Sequence, residues 1–295
     1  MARVLEATAG VAGRAAEARR PRRRDWSGAL AHAILVAAVV VLAFPLYYAL
    51  VISTQTAEQA ASVPPRLLPS GSFVANYAEA WQRAKMGRML VNSAIMALGI
   101  AFGKIAISLL SAFAIVYFNF RGKSFVFWMI FVTLMLPVPV RIVSTYEVMT
   151  QLGWVNTYWG LTVPLMASAT GTFLFRQFYQ TIPDSLAEAA QLDGAGPIRF
   201  LWSILLPLSK ANIAALFVIL FVYGWNEYLW PLMMTTTADM RTAIIGIEAL
   251  VPRGGSQLPE WNIIMAAAMM VLLPPVVVIV VMQRWFVKGL IETEK

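Results

Sequence analysis

The sequence predicts an all-α membrane protein with six transmembrane helices. Three observations predict it: 59% of the 295 residues are hydrophobic, only 13% are charged, and apolar runs of spanning length recur along the chain. Soluble domains carry roughly 25% charged residues, so this chain would leave a large apolar surface in water. A bilayer removes that difficulty, because a helix of about 20 apolar residues can cross its hydrocarbon core.

Six apolar runs reach or slightly exceed that length. They lie at about 29–51, 90–116, 125–148, 159–178, 211–233 and 262–286. Several of these runs are interrupted by prolines, namely Pro45, Pro137, Pro139, Pro164, Pro231, Pro274 and Pro275. Bundled helices tolerate such breaks when their neighbours satisfy the freed carbonyl groups, so the prolines do not argue against six spans.

The first apolar run follows a basic tail that could be mistaken for a cleavable signal. The apolar region of a signal peptide is usually about 7–15 residues long, whereas this run has about 23. We therefore interpret the run as a retained helix, residues 1–25 as a disordered cytoplasmic tail, and residues 26–295 as the transmembrane domain. Seven of the 23 basic residues lie in that tail, so the net charge of +8 indicates membrane topology rather than nucleic-acid binding.

The basic residues are distributed unevenly across the predicted loops. With six spans, 15 Lys and Arg residues lie on the side of the two termini and six lie on the opposite side. The positive-inside rule then places both termini in the cytoplasm. Loops 52–89 and 234–261 are expected to face outward, and the segment 179–210 is expected to face the cytoplasm.

The residue types in the chain exclude several kinds of chemistry. There is no cysteine and a single histidine, His32, at the start of an apolar run, so thiol catalysis and thiolate zinc sites are excluded. The glycine spacing before Lys104 is wrong for a phosphate-binding loop. We expect Gly99 and Gly103 to allow close helix packing, and Lys104 to reach an interface or a polar seam. We accordingly expect no enzymatic activity and no metal or other cofactor in this chain.

The predicted cytoplasmic segment at about 182–208 contains a long motif of specific spacing. From Glu188 to Pro207 the chain reads E-A-A-x3-G-x9-I-x-L-P. A motif of this kind on the cytoplasmic side could dock in a groove of a partner protein. An ordinary amphipathic interfacial loop is the alternative that the local features leave open.

The residues around the motif predict a short helix followed by a sharp bend. Pro183 and Asp184 suit its start, with the aspartate capping free N–H groups. Gly194 can adopt a positive φ and end the helix. Pro197 can then open the next helix.

The motif resembles the coupling loop of permease subunits of binding-protein-dependent ABC importers, and nearly the whole chain beyond the tail shares the resemblance. Three stretches are similar to the second permease of the carbohydrate-uptake family, namely Asn76-Tyr77, Asn92-Ser93 and Leu110–Ala114. Other stretches resemble glycerol-3-phosphate importer permeases, namely 127–131, 133–137, 164–170, 173–178, 223–226 and 281–284.

The resemblance implies a type I ABC importer permease fold in a prokaryotic cell membrane, with a cytoplasmic coupling helix. The residues that would contact the ATPase are Glu188, Ala189, Ala190, Asp193 and Gly194. The implied partners are a homologous second permease, a homodimeric ABC ATPase that binds ATP and Mg, an extracytoplasmic substrate-binding protein and membrane lipid. The chain itself would hydrolyse no ATP.

Charged residues inside spans cost roughly 2.5–3.5 kcal/mol on insertion scales, so each needs a reason. Arg141 follows a proline-broken stretch, and its planar guanidinium suits a phosphate group, although an ion pair with Glu147 would also explain it. A second group near the outer end of the fifth span suits either a polyol or an interfacial belt. Its members are Tyr223, Trp225, Asn226 and Glu227.

The resemblance also implies a role for the outer loop that contains Arg253, Gly254 and Gly255, which would reach toward the binding protein. Glycine flexibility alone would equally explain its composition. The expected solute is glycerol 3-phosphate or a related glycerophosphodiester, such as glycerophosphocholine. A disaccharide or oligosaccharide is the alternative, and an ion-coupled secondary transporter is a third candidate, disfavoured because the sequence shows no clear internal repeat.

Overall fold

The computed structural model describes residues 26–133, 138–252 and 258–292. The predicted tail, residues 1–25, and the predicted binding-protein contact at Arg253, Gly254 and Gly255 lie outside these described residues. The described part of the chain is helical and contains no β-strand, which confirms the all-α prediction.

The helices are numbered here in chain order. The first seven are α1 Trp26–Ser53, α2 Ala57–Ala60, α3 Phe73–Arg83, α4 Met86–Tyr117, α5 Lys123–Val132, α6 Val138–Gln151 and α7 Tyr158–Thr162. A 3-10 turn at Val163–Leu165 precedes the next four, which are α8 Ala169–Gln180, α9 Asp184–Leu192, α10 Pro197–Phe200 and α11 Leu206–Leu208. A π-helical turn at Leu201–Leu205 lies between α10 and α11. The last four are α12 Lys210–Trp225, α13 Leu229–Met234, α14 Ala243–Ala249 and α15 Trp261–Glu292.

Three of the six predicted spans are uninterrupted apolar helices in the described part of the chain, at Leu30–Ser53, Met86–Tyr117 and Trp261–Trp285. The other three are divided into shorter helices. Helices α5 and α6 occupy the predicted run 125–148, and α7 and α8 occupy 159–178. The predicted run 211–233 comprises α12, which ends at Trp225, and α13.

A proline and a capping residue account for the division between α7 and α8. Pro164 lies in the 3-10 turn after α7. The Ser168 hydroxyl then accepts a hydrogen bond from the Gly171 N–H at 3.1 Å, which starts α8 as a new helix. Before α12, the helical segment Pro197–Leu208 meets that helix at an angle of 74°. The chain therefore turns sharply between the coupling segment and the fifth span.

The core is built around α4. This helix packs against α8 and α12, and α12 packs in turn against α15. Gly99 and Gly103 lie so close to side chains of the α7–α8 region that an added Cβ would collide with them. An added Cβ on Gly224 would lie 3.1 Å from the Ala97 backbone. The predicted close packing at Gly99 and Gly103 is therefore confirmed, and Gly224 allows α12 to lie close to α4.

The N-terminal end of α4 is fixed by polar contacts to the chain between α13 and α14. The Asn92 side-chain amide donates to the carbonyl oxygens of Asp239 at 2.8 Å and Arg241 at 3.0 Å. The Asn92 carbonyl oxygen accepts a hydrogen bond from the Tyr158 hydroxyl at 2.8 Å. The Asn92 side chain thus has partners for both its donor and its acceptor groups, which marks it as a structural residue.

A charged contact fixes the C-terminal end of α3 and the N-terminal end of α15. The Arg83 guanidinium is paired with Glu79 on its own helix and with Glu260, which directly precedes α15. The hydrogen bond to Glu260 raises the pKa of Arg83 above its ordinary value.

Contacts divide the chain into two units, Met1–Tyr48 and Ala49–Lys295. In the first unit, α1 exposes its apolar side chains from Leu30 to Leu46, as expected for a helix that needs a bilayer or another subunit around it. All candidate site residues discussed below lie in the second unit.

Candidate translocation site and coupling helix

The C-terminal end of α9 has the geometry that the sequence motif predicts. Gly194 has a φ of +70°, the left-handed conformation that glycine adopts most easily. Its N–H donates to the Gln191 carbonyl at 3.0 Å, and the Ala195 N–H donates to the Ala190 carbonyl at 2.8 Å. This pair of bonds is a Schellman motif, which satisfies free carbonyls at the helix end and reverses the chain.

The start of α9 differs in one respect from the prediction. Pro183 occupies the N-cap position and Asp184 is the first helical residue, with no capping hydrogen bond from a side chain. The predicted aspartate cap is therefore wrong, because Asp184 lies one position inside the helix. Its carboxylate can still interact favourably with the helix dipole. Pro197 opens α10 as expected.

The two sides of α9 have different environments. Ala190 is only 5% exposed and packs into the core. Glu188, Ala189 and Asp193 are exposed, and Leu192 is 89% exposed. The helix is therefore attached to its own chain by small side chains and presents carboxylates and a leucine outward, a surface suited to a groove on another protein.

Four polar residues interact electrostatically within the predicted spans. Lys104 on α4 places its Nζ 4.1 Å from the centroid of the Tyr223 ring on α12. Electrostatic interactions connect Lys104 with Glu227 and Arg141, and Tyr223 with the same two residues. We call these four residues the intramembrane cluster. Three of them are predicted site residues, and Lys104 completes the group.

The intramembrane cluster holds two cations and one carboxylate. Among the residues that the structure describes, no carboxylate lies within salt-bridge distance of Lys104 or Arg141. The ion pair between Arg141 and Glu147, which the sequence left open, is not formed. The cluster therefore retains positive charge and hydrogen-bond donors that a solute carrying an anionic group and hydroxyls could use.

The remaining predicted pathway residues have different environments. Trp225 is 3% exposed, and its indole N–H donates to the Val271 carbonyl at 3.1 Å, which places it in the packing between α12 and α15. Asn226 is exposed at the end of α12, and Glu147 is exposed on α6. For Trp225, Asn226 and Glu147, as for the members of the cluster, a role in the pathway stays a prediction.

Sequence reasoning considered Lys104 only as an interfacial or polar-seam residue. The polar seam is confirmed. Lys104 interacts with Arg141 on α6, Tyr223 on α12 and Glu227 just after α12, and no local sequence pattern connects these segments. The available signal was the one that singled out Arg141, namely an ionisable side chain within a span.

Comparison with known proteins identifies the family and its relatives. Residues 104–292 match the family described as "Binding-protein-dependent transport system inner membrane component". The chain is 54% identical over 280 residues to the sn-glycerol-3-phosphate transport system permease protein UgpE of Brucella abortus (strain 2308), with 92% of this chain and 99% of that protein covered.

Two solved structures share the fold. One is a bacterial ABC transporter involved in the import of the acidic polysaccharide alginate, with a TM-score of 0.79, 18% identity, and 90% of this chain and 99% of that chain covered. The other is a bacterial alginate ABC transporter in complex with an alginate pentasaccharide-bound periplasmic protein, with a TM-score of 0.61, 17% identity, and coverages of 88% and 93%. These likenesses confirm the ABC importer permease fold. The chain belongs to the family of binding-protein-dependent inner membrane transport components, as a multi-pass permease subunit.

Proposed function

We propose that this permease carries glycerol 3-phosphate or a related glycerophosphodiester, such as glycerophosphocholine, into the cell. The intramembrane cluster is the observation that carries the proposal, because it gathers two cations, one carboxylate and a phenol from separate segments of the chain. The name of the Brucella relative, which is 54% identical, supports the same class of solute.

The chemistry of the cluster suits transient contact with a phosphorylated polyol. Arg141 can donate two parallel hydrogen bonds to a phosphate, and Lys104 adds a compact positive charge. Glu227 and Tyr223 can accept or donate hydrogen bonds to glycerol hydroxyls. Because Glu227 offsets part of the positive charge, the solute is held weakly enough to leave the site.

The partners in the proposed assembly follow from the family. A homologous second permease completes the pathway, and an extracytoplasmic binding protein delivers the solute to the side of loops 52–89 and 234–261. A homodimeric ATPase holds ATP and Mg, and α9 docks on it through the exposed surface that includes Glu188, Ala189 and Asp193. The positive-inside count supports this orientation, with both termini in the cytoplasm.

The test is uptake by the complete complex in proteoliposomes, with the partner binding protein supplied outside. Radiolabelled glycerol 3-phosphate, glycerophosphocholine and a neutral disaccharide are compared. Arg141→Lys keeps the charge but loses the two-pronged geometry, and Arg141→Gln loses both. Uptake of the two phosphorylated solutes should fall progressively through the series, whereas Arg121→Gln, in a predicted cytoplasmic loop, should behave like the wild type.

Two results would contradict the proposal. Unchanged uptake in Arg141→Gln would remove Arg141 from the pathway. Preferential uptake of the disaccharide by the wild-type complex would reject a phosphorylated solute and leave a sugar importer as the function.

A further inference from the structure

We propose that a cavity between α4, α5 and α8 binds an anionic phospholipid at the predicted cytoplasmic membrane surface. The cavity has a volume of about 390 Å³. It lies between Lys123, the first residue of α5, and Arg176, in the C-terminal half of α8. It shares no residue with the intramembrane cluster, so it is a separate site.

The two basic side chains carry the first part of the argument. Both are partly buried, at positions where a cation normally has a counter-ion. The Lys123 Nζ donates to the Val116 carbonyl at 3.2 Å, and the Arg176 guanidinium lies 4.2 Å from the centroid of the Phe127 ring. Within the described ranges no carboxylate is within salt-bridge distance of either cation. Among the described residues, the cavity therefore has two positive charges without a paired carboxylate.

The second part of the argument for a lipid site is the aromatic wall of the cavity. Phe127 stacks on Phe131 with their ring centroids 6.1 Å apart, and Phe131 lies 5.9 Å from Phe173. Trp128 packs edge-on against Phe131 at 5.5 Å and remains 59% exposed. The rings form a continuous apolar wall that begins at Arg176 and follows α5, so one end of the cavity is cationic and its side is aromatic.

This combination fits one kind of occupant. The headgroup phosphate of a lipid can contact Lys123 and Arg176 while an acyl chain lies against the aromatic wall. Basic pockets between transmembrane helices on the cytoplasmic side are known sites for anionic headgroups, since that leaflet is rich in them. A free phosphate would use the cations and leave the wall exposed, and a zwitterionic lipid would place its own cation beside them.

The position of the cavity gives the lipid a structural consequence. Helix α8 ends at Gln180, and the coupling helix α9 begins at Asp184. A lipid held by Lys123 of α5 and Arg176 of α8 ties these two helices together immediately before the coupling helix. The lipid would thus stabilise the element from which α9 starts.

The test is lipid binding to the purified complete complex, measured by native mass spectrometry after delipidation. Phosphatidylglycerol and phosphatidylcholine are titrated separately. The wild-type complex should bind phosphatidylglycerol in preference to phosphatidylcholine. In Lys123→Gln/Arg176→Gln the affinity for phosphatidylglycerol at this site should fall by roughly 10- to 30-fold, given the contribution of each basic residue near a membrane surface.

Matched controls separate this site from general surface charge. Arg121→Gln/Arg284→Gln removes the same number of charges on the same predicted side and should keep the lipid. Lys123→Gln and Arg176→Gln are also measured singly, so the result does not depend on assembly of the double variant, and each should lose part of the affinity. Arg176→Lys retains the charge and should bind more lipid than Arg176→Gln.

Several outcomes would overturn the proposal. The affinity for phosphatidylglycerol in the single and double variants could equal that of the wild type, which would mean that Lys123 and Arg176 do not bind the lipid. Millimolar inorganic phosphate could displace phosphatidylglycerol, which would make the site one for free phosphate. The assembled complex could bind no phosphatidylglycerol, which would mean that a partner subunit covers the cavity.

Discussion

The turn after the coupling helix and the intramembrane cluster are built in opposite ways. The turn is local, since Gly194 and the backbone hydrogen bonds that close it belong to residues 190–195. The cluster is assembled from α4, α6, α12 and the residue after the end of α12, which meet only in the folded chain. Substitutions in the turn should therefore impair energy coupling without changing solute preference, and substitutions in the cluster should do the reverse.

Helix α4 shows the same contrast between two of its polar residues. Asn92, near the N-terminal end, has hydrogen-bond partners for its donor and acceptor groups. Lys104, three turns further along, has only an aromatic face at close range and charges nearby. A polar side chain whose partners are all supplied by the chain serves the fold, whereas a cation without a paired carboxylate is available to a solute.

The largest effect is expected at the turn. Gly194→Val places a β-branched residue at a φ of +70°, a conformation that such residues strongly resist. An added Cβ would meet no atom within 4 Å, so the effect is conformational rather than steric. ATP-dependent uptake should be abolished while the amount of inserted protein, measured by immunoblot of membranes, is unchanged.

The matched control for this variant is two residues away. Gly196 also has open space around its Cβ position but a φ of −69°, which valine accepts. Gly196→Val should retain most of the uptake. Equal uptake by Gly194→Val and the wild type, at equal protein amounts, would show that this loop does not transmit the motion of the ATPase.

The next effect is expected at Lys104. Lys104→Gln removes a charge-assisted contact to the solute, which is expected to lower the transport efficiency for glycerol 3-phosphate by roughly 10- to 100-fold. ATP hydrolysis by the detergent-solubilised complex should be unchanged, because the turn is intact. Lys210→Gln, at the start of α12 and outside the cluster, is the control. Loss of ATP hydrolysis together with uptake would show that Lys104 supports the fold instead.

A smaller and opposite effect is expected at Glu227. Glu227→Gln removes the negative charge beside Lys104 and Arg141, so an anionic solute should be held more tightly. Both KM and the maximal rate of glycerol 3-phosphate uptake should fall by a few-fold, roughly in proportion, because release becomes slower. A raised KM would mean that Glu227 attracts the solute rather than balancing the cations.

The smallest effect is expected at Asp184. Its side chain makes no capping bond, so Asp184→Ala should lose only a dipole interaction of about 0.3–1 kcal/mol. Ser168→Ala provides the comparison, because the Ser168 hydroxyl caps α8 and its loss should cost about 1 kcal/mol or more. Thermal unfolding of the complex measures both. A larger loss of stability for Asp184→Ala than for Ser168→Ala would contradict the assigned roles.

Sequence reasoning predicted the local features well, because each depends on one or two residue types. The positive φ at Gly194, the helix start at Pro197 and the close packing at Gly99 are examples. It predicted that prolines interrupt several spans, but not that α8 starts as a new helix, because hydropathy over a window does not register a capping residue such as Ser168. It did not assemble the cluster around Lys104, since the approach of α4, α6 and α12 is a tertiary property.

The most direct test of the account is the solute preference of Lys104→Gln/Arg141→Gln in the complete complex. ATP-dependent uptake of glycerol 3-phosphate and of glycerol, as the matching neutral solute, is measured in proteoliposomes with the same binding protein supplied outside in every case, so that any difference between the wild type and the double variant comes from the permease. The account predicts that the wild type takes up glycerol 3-phosphate in preference to glycerol, and that the double variant loses this preference while still hydrolysing ATP. An unchanged preference in the double variant would contradict the assignment of the intramembrane cluster to the solute pathway.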